Sequence, residues 1–257
     1  MQLKVSKDTI YPNKIINTKL ENLEKNNDLI NFTDYELNSF SYNEALKYDK
    51  RKFCDYYISL LKTKHPLLFS FCPIKYYNSI IIKIDIFFLS FSIYYFINAL
   101  FFDEKTIHKI YEEKGIYNFI YLIPHIMYSF ITSHFLITII KYFSLSERNI
   151  CEIKREKKNE VSNDKTSKVR KCLIIKYIFF FILSILFLLF LWFYLSSFGA
   201  VYQNTQIYLI KNALISFGFS LLYPFFINFI PGVFRIYSLK DSKRKCIYNI
   251  STILQLL

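Results

Sequence analysis

The fold is decided by residues 173–196, which read LIIKYIFFFILSILFLLFLWFYLS. From Tyr177 to Leu195 this stretch has no charged side chain, and Ser184 is its only hydroxyl apart from the tyrosines. A helix rises about 1.5 Å per residue and the hydrocarbon core of a bilayer is about 30 Å thick, so about 20 apolar residues cross it. The stretch is therefore predicted to span a membrane as one helix, with Trp192 and Tyr194 near an interface.

Three further stretches have the length and apolar character of a span. They are approximately Ser79–Phe102, Tyr117–Ile140 and Ile207–Ile230. Hydrophobic residues make up 53% of the 257 residues and are gathered into these runs rather than spread with the periodicity of a soluble domain. The sequence therefore predicts an all-α polytopic membrane protein with four transmembrane helices.

The connections between the spans predict the orientation. Lys and Arg number 12 before the first span, three in residues 103–116, nine in 144–172, none in 197–206 and five from residue 231 onward. Basic connections remain on the cytosolic side, so both termini and the middle connection are predicted to be cytosolic. The net charge of +13 thus lies beside the apolar runs, where anionic lipid head groups, not nucleic acid, are the expected partner.

The water-facing segments differ in composition. Residues 1–41 are polar and are predicted to be largely disordered. Residues 42–65 carry an apolar face and several lysines, which is typical of one amphipathic helix resting on the membrane surface or binding a partner. The remaining predicted segments are spans 1 and 2 in 66–143, a basic loop in 144–172, spans 3 and 4 in 173–232, and a basic tail in 233–257.

Two spans carry a stripe of polar residues on one helical face. The stripes contain His125, Ser129, Thr132 and Ser133 on the second span, and Asn212, Ser216, Ser220 and Tyr223 on the fourth. Such residues hold helices together by hydrogen bonds, and they also line hydrated paths. Both interpretations remain open. The third span has no such stripe, which favours a position facing lipid.

No residue pattern indicates a reaction, a cofactor or a metal. The five cysteines show no CxxC spacing, and the sequence has no P-loop, GxGxxG, HExxH or GxSxG motif. His134 lies nine residues after His125 and points to the opposite side of its helix, which argues against a two-histidine site. Cys172 is placed for palmitoylation at the start of the third span, or remains an unmodified thiol.

Several stretches carry a resemblance to a known group of proteins. They are ALKYDKRKF at 45–53, SLLKTKH at 59–65, NALFF at 98–102, SLSE at 144–147, AVYQNTQ at 200–206 and YPF at 223–225. Together they resemble a group of multi-pass membrane proteins of single-celled eukaryotes, in which this block forms the C-terminal membrane part of longer chains. The resemblance covers residues 40–257 and implies a membrane module, without an activity, cofactor or site residue.

These observations favour a non-enzymatic membrane anchor or scaffold that recruits partners through its cytosolic segments. The alternative is a subunit of a channel or transporter. Because four spans are few for a complete transporter, that alternative predicts a homo-oligomer with the polar stripes around a pore. A lipid-modifying enzyme is a third hypothesis, which no motif supports.

Overall fold

The computed structural model describes residues 32–72, 79–112, 116–146, 150, 163–241 and 243–255. Every regular element within these ranges is helical, so the all-α prediction is confirmed. The helices are α1 (Asp34–Asn38), α2 (Tyr42–Tyr48), α3 (Phe53–Lys64), α4 (Pro66–Phe71), α5 (Ile80–Leu100), α6 (Glu104–Glu112), α7 (Phe119–Ser144), α8 (Asn163–Val201), α9 (Gln206–Ile227), α10 (Phe229–Ser238) and α11 (Lys245–Leu254).

The chain divides into two compact units, residues 1–39 and 40–257. In the first unit, α1 begins with a capping box. The Thr33 hydroxyl accepts a hydrogen bond from the backbone N–H of Glu36, and the Glu36 carboxylate accepts one from the N–H of Thr33. Most of the segment predicted to be disordered, residues 1–41, lies outside the described residues.

Four helices of the second unit, α5, α7, α8 and α9, are long and apolar enough to cross a membrane, as the sequence predicted. α5 lies at the centre of the bundle and packs against the other three. Half of the most apolar stretch of α5 is buried, whereas only 17% of the corresponding stretch of α8 is buried. The low burial of α8 agrees with the lipid-facing position predicted for the third span.

The helix of the third span is longer than its apolar run. α8 begins at Asn163, inside the connection assigned to residues 144–172. Residues 163–172 contain no Gly or Pro and several Lys and Arg, which have good helix propensity. The helix therefore continues beyond the apolar part of the span.

The amphipathic segment differs from the single helix predicted over residues 42–65. It forms two helices, α2 and α3, because the backbone leaves the helix at Asp49, where φ is −87° and ψ is 89°. In this conformation the Asp49 carboxylate accepts hydrogen bonds from Arg51 Nε at 2.8 Å and Arg51 Nη2 at 2.9 Å. Pairing of a buried carboxylate has therefore overridden helix periodicity.

The terminal cap, which we define as α2, α3, α10 and α11, joins the segments that flank the four spans. Three tyrosine hydroxyls cross between the two segments. Tyr42 donates to the Asp241 carbonyl at 2.7 Å, Tyr248 to the Phe40 carbonyl at 2.7 Å, and Tyr56 to Gln255 Oε1 at 3.1 Å. The segment before the first span and the segment after the last therefore meet at the same end of the bundle.

The apolar face predicted to rest on the membrane is largely covered by the chain itself. Ala45 and Leu60 are 0% and 1% exposed. Phe53 packs edge-on against Phe229, with ring centroids 5.5 Å apart. A Cβ at Gly232 would lie 2.9 Å from the Phe53 ring, so a larger residue at that position would have to displace this ring or separate α10 from α3.

A buried ion pair lies at the centre of the terminal cap. Arg235 is fully buried, and its Nη2 and Nε donate to Asp49 Oδ2 at 3.1 and 3.3 Å. The guanidinium lies against the rings of Tyr56 and Tyr248, 5.0 and 4.7 Å from their centroids. Burial opposes ionisation of Asp49, but hydrogen bonds and charge from Arg51 and Arg235 outweigh it and hold the pKa of Asp49 below 3.8.

Replacing Asp49 by Asn is expected to lower the free energy of unfolding by about 3–5 kcal/mol, because Arg235 would remain buried without its counter-charge. Wild-type stability should also fall as pH drops below the unfolded pKa of 3.8, since the pKa of folded Asp49 is lower. Thermal unfolding in micelles measures both effects.

Asp241→Asn is the matched control, because Asp241 pairs with Arg244 at the surface, where both side chains are about one-third exposed or more. That change should cost about 0–1 kcal/mol. Equal losses from the two substitutions would contradict the central role of the buried pair.

Candidate functional site

The polar stripe on α7 contains a side chain that forms hydrogen bonds to other elements and side chains that are buried without such bonds. His125 contacts Thr106 Oγ1 through Nε2 at 3.0 Å and the Phe101 carbonyl through Nδ1 at 3.1 Å. Ser129 and Ser133 are fully buried, and their hydroxyls make no hydrogen bond with a described residue. Thr132 is half-buried. His125 thus ties α7 to the start of α6 and the end of α5.

The stripe on α9 faces the interior of the bundle. Asn212 Oδ1 accepts a hydrogen bond from the Tyr117 hydroxyl at 2.6 Å. Ser216 Oγ accepts from Asn98 Nδ2 at 3.2 Å and lies 3.3 Å from the Ile126 carbonyl, to which it donates. Ser220 donates to the Phe217 carbonyl within its own helix at 2.6 Å.

The two stripes therefore reach the same helix interfaces without bonding to each other directly. Ser216 on α9 links α5 to α7, because it bonds Asn98 of α5 and also donates to the Ile126 carbonyl of α7. Sequence reasoning did not single out Asn98. The available signal was an amide inside an apolar run, where a polar group has to find a protein partner.

A second group of polar side chains surrounds a cavity of about 40 Å³. The cavity lies between α3, α4, α5, α7 and α9, at the end of the bundle that carries the terminal cap. We call it the basic cavity. Its polar lining includes Lys64, His134, Lys141, Tyr94, Thr138 and Ser220, and no carboxylate lines it among the described residues.

Like charges lie close together in this cavity. Burial first, and then the charge of Lys141, lower the pKa of Lys64 from 10.5 to about 8. Burial, with a further contribution from Lys141, also lowers the pKa of the neighbouring His65. Lys141 Nζ lies 5.3 Å from the centroid of Phe69, and Lys83 Nζ lies 5.1 Å from the same ring. Lysines from three helices, α3, α5 and α7, thus converge on this part of the bundle.

Two side chains of the basic cavity have unused hydrogen-bonding capacity. Tyr94 is 1% exposed, and its hydroxyl faces Ser220 on α9, although the two groups are too far apart for a normal hydrogen bond. The side-chain ammonium of Lys64 forms neither a hydrogen bond nor an ion pair with the described part of the chain. A buried O–H donor and a partly buried ammonium are therefore available to an acceptor in the cavity.

Two other polar positions lie outside the stripes and the basic cavity. Asp85 on α5 faces Ser184 on α8, although the two groups are too far apart for a hydrogen bond. Lys83 lies two positions before Asp85, and residues at this spacing point to different sides of a helix. The Lys83 ammonium lies over the Phe69 ring instead. Cys172 is exposed on α8, as palmitoylation requires, but exposure does not distinguish it from an unmodified thiol.

The sequence pattern alone does not identify Lys64 and Lys141 as members of one group. The signal in the sequence is positional, since Lys64 and Lys141 lie in the last turns of two helices that end at the same end of the bundle.

Within the described ranges, no three His, Cys, Asp or Glu side chains are arranged to hold a metal ion. No protein-family profile, curated protein or solved structure matches this chain. Its four apolar helices are those of a membrane protein.

Replacing Lys64 by Met is expected to raise the free energy of unfolding at pH 7 by about 1–3 kcal/mol, because the folded protein no longer holds a charge beside Lys141. In the wild type, unfolded Lys64 binds its proton more tightly than folded Lys64, so stability should rise between pH 8 and pH 10.5. Unfolding measured across this range should show a smaller rise in the variant.

Lys62→Met, on the same helix but outside the basic cavity, should leave that pH-dependent rise in place. The interpretation fails if Lys64→Met and wild type share one pH profile, since the buried charge would then not be costly.

Proposed function

We propose that this protein is a non-enzymatic membrane anchor or scaffold. Its four-helix bundle holds the chain in the bilayer, and the terminal cap presents a fixed surface at the cytosolic face. The observation that carries the proposal is the buried ion pair between Asp49 and Arg235, which joins the two segments flanking the spans into the terminal cap. A rigid platform suits recruitment, because binding to it costs little ordering entropy.

The distribution of basic residues supports a cytosolic cap. The connections at the opposite end of the bundle, residues 103–116 and 197–206, contain three Lys and no Arg between them. The cap end bears many more basic residues, and these stay on the cytosolic side of a membrane. Both termini would then be cytosolic.

The surface of the cap supports anionic lipid as a partner. Several lysines on it are exposed, namely Lys47, Lys50, Lys52, Lys240, Lys243 and Lys245. Each basic residue near an anionic leaflet contributes about 1 kcal/mol of attraction. Because the cap is continuous with the last span through α10, these charges would be held close to the head groups.

The hydrogen bonds inside the bundle favour an anchor over a pore. His125, Asn212 and Ser216 each bond another element, and such contacts are what polar residues supply at helix interfaces. A conducting path would instead need these groups to face water. The homo-oligomeric channel remains the alternative that a flux measurement distinguishes.

Native cysteines test the orientation. Cys54 and Cys246 are exposed on the cap, and a membrane-impermeant maleimide should label both from the cytosolic side of sealed vesicles. A cysteine introduced at Gln203, between the third and fourth spans, should react only from the opposite side. Labelling of Cys54 and Cys246 from opposite sides would overturn the shared orientation of the two segments.

Reconstitution in liposomes tests the anchor against the channel. Wild-type protein should conduct no ions, and the double substitution His125→Ala and Asn212→Ala should lower thermal stability, since Thr106 and Tyr117 lose their partners. Ser197→Ala, at an exposed hydroxyl, should change neither property. Wild-type flux that the double substitution abolishes, with folding intact, would establish the channel instead.

A further inference from the structure

The basic cavity combines features that no helix interface requires. Lys64, His134 and Lys141 come from two helices and converge on one space, and no carboxylate lines that space among the described residues. We propose that the basic cavity is a binding site for the phosphoryl group of a phosphorylated membrane lipid. The site does not depend on which end of the bundle is cytosolic, so it stands separately from the anchor proposal.

The size of the cavity fits a phosphoryl group. A water molecule needs about 10–15 Å³ of such space, so a cavity of about 40 Å³ accommodates about three water-sized groups. A terminal phosphate presents three acceptor oxygens. A larger head group would have to leave its remaining atoms outside the cavity.

The donors in the cavity match phosphate chemistry. Phosphate oxygens accept hydrogen bonds and carry negative charge, and ammonium groups bind them as point charges. Lys64 and Lys141 supply that charge at the outer end of the cavity, where α3 and α7 end. The buried Tyr94 hydroxyl, which faces Ser220 without a normal hydrogen bond to it, supplies a donor at the inner end.

The position of the cavity favours a lipid over a soluble ligand. Thr138 lines the cavity and is exposed on α7, so the cavity reaches the flank of the bundle that faces the bilayer. His134 lies ten residues before the end of α7, about 15 Å along the helix at 1.5 Å per residue. A ligand with acyl chains could keep its chains in the bilayer while its phosphoryl group enters from the side.

The charges also cost stability in the empty protein, which a bound anion would offset. Burial and Lys141 lower the pKa of Lys64, so the folded protein holds this ammonium at a free-energy cost. A phosphoryl group between the two lysines replaces repulsion with attraction. Residues that reduce stability without a ligand are typical of binding sites.

Lipid retention tests the proposal. The full chain is placed in phosphatidylcholine nanodiscs that contain either phosphatidic acid or, as the control for charge, phosphatidylglycerol. Native mass spectrometry and thermal unfolding then report the bound lipid. Wild type should retain phosphatidic acid in preference to phosphatidylglycerol. Lys64→Gln and Lys141→Gln should each weaken this binding about tenfold to a hundredfold, the loss expected for one charge-assisted hydrogen bond.

Lys62→Gln is the matched control, since Lys62 lies on the same helix outside the cavity and should leave retention unchanged. Equal retention of the two lipids, or equal loss in the Lys62 and Lys64 variants, would overturn the proposal. A third arm adds inorganic phosphate to protein in phosphatidylcholine alone. Stabilisation there that depends on Lys64, without preferential retention of phosphatidic acid, would overturn the assignment to a lipid.

Discussion

The buried contact between Asp49 and Arg235 is the constraint on which the arrangement of the chain depends. An arginine that is fully buried just beyond the last span is tolerated only if a counter-charge reaches it, because removing a charge from water costs several kcal/mol. That counter-charge comes from 186 residues earlier in the sequence. Satisfying it breaks the amphipathic helix at Asp49, brings α3 against α10, and places both flanking segments at one end of the bundle.

Within the bundle, hydrogen bonds between polar side chains join the spans, as the ion pair joins the segments of the terminal cap. α5 is the most buried span, and its Asn98 bonds Ser216 of α9, which also donates to the backbone of α7. Each such bond stabilises a helix pair by about 1 kcal/mol or less, so these bonds specify register more than they stabilise the fold. α8 has few buried polar groups, and its apolar surface is left for lipid.

The parts of the fold that the sequence predicted are those fixed by local pattern. Residues 173–196 cannot be soluble in any conformation that exposes them to water, and helical periodicity alone puts Asn212, Ser216 and Ser220 on one face. The Asp49–Arg235 pair and the basic cavity could not be predicted in this way. Both depend on which distant segments meet, and a Lys or Asp has the same local pattern whether it is solvated or buried.

The chain handles its buried charges in two opposite ways at the same end of the bundle. Arg235 is paired with Asp49 and lies against two tyrosine rings, so its contacts join the segments of the terminal cap and its role is structural. Lys64 lies beside Lys141, with no carboxylate among the described residues that line their cavity. The Asp49–Arg235 pair explains how the two flanking segments are held together. For Lys64, which the fold places beside Lys141, the proposed phosphoryl ligand supplies a counter-charge at the basic cavity, next to the terminal cap.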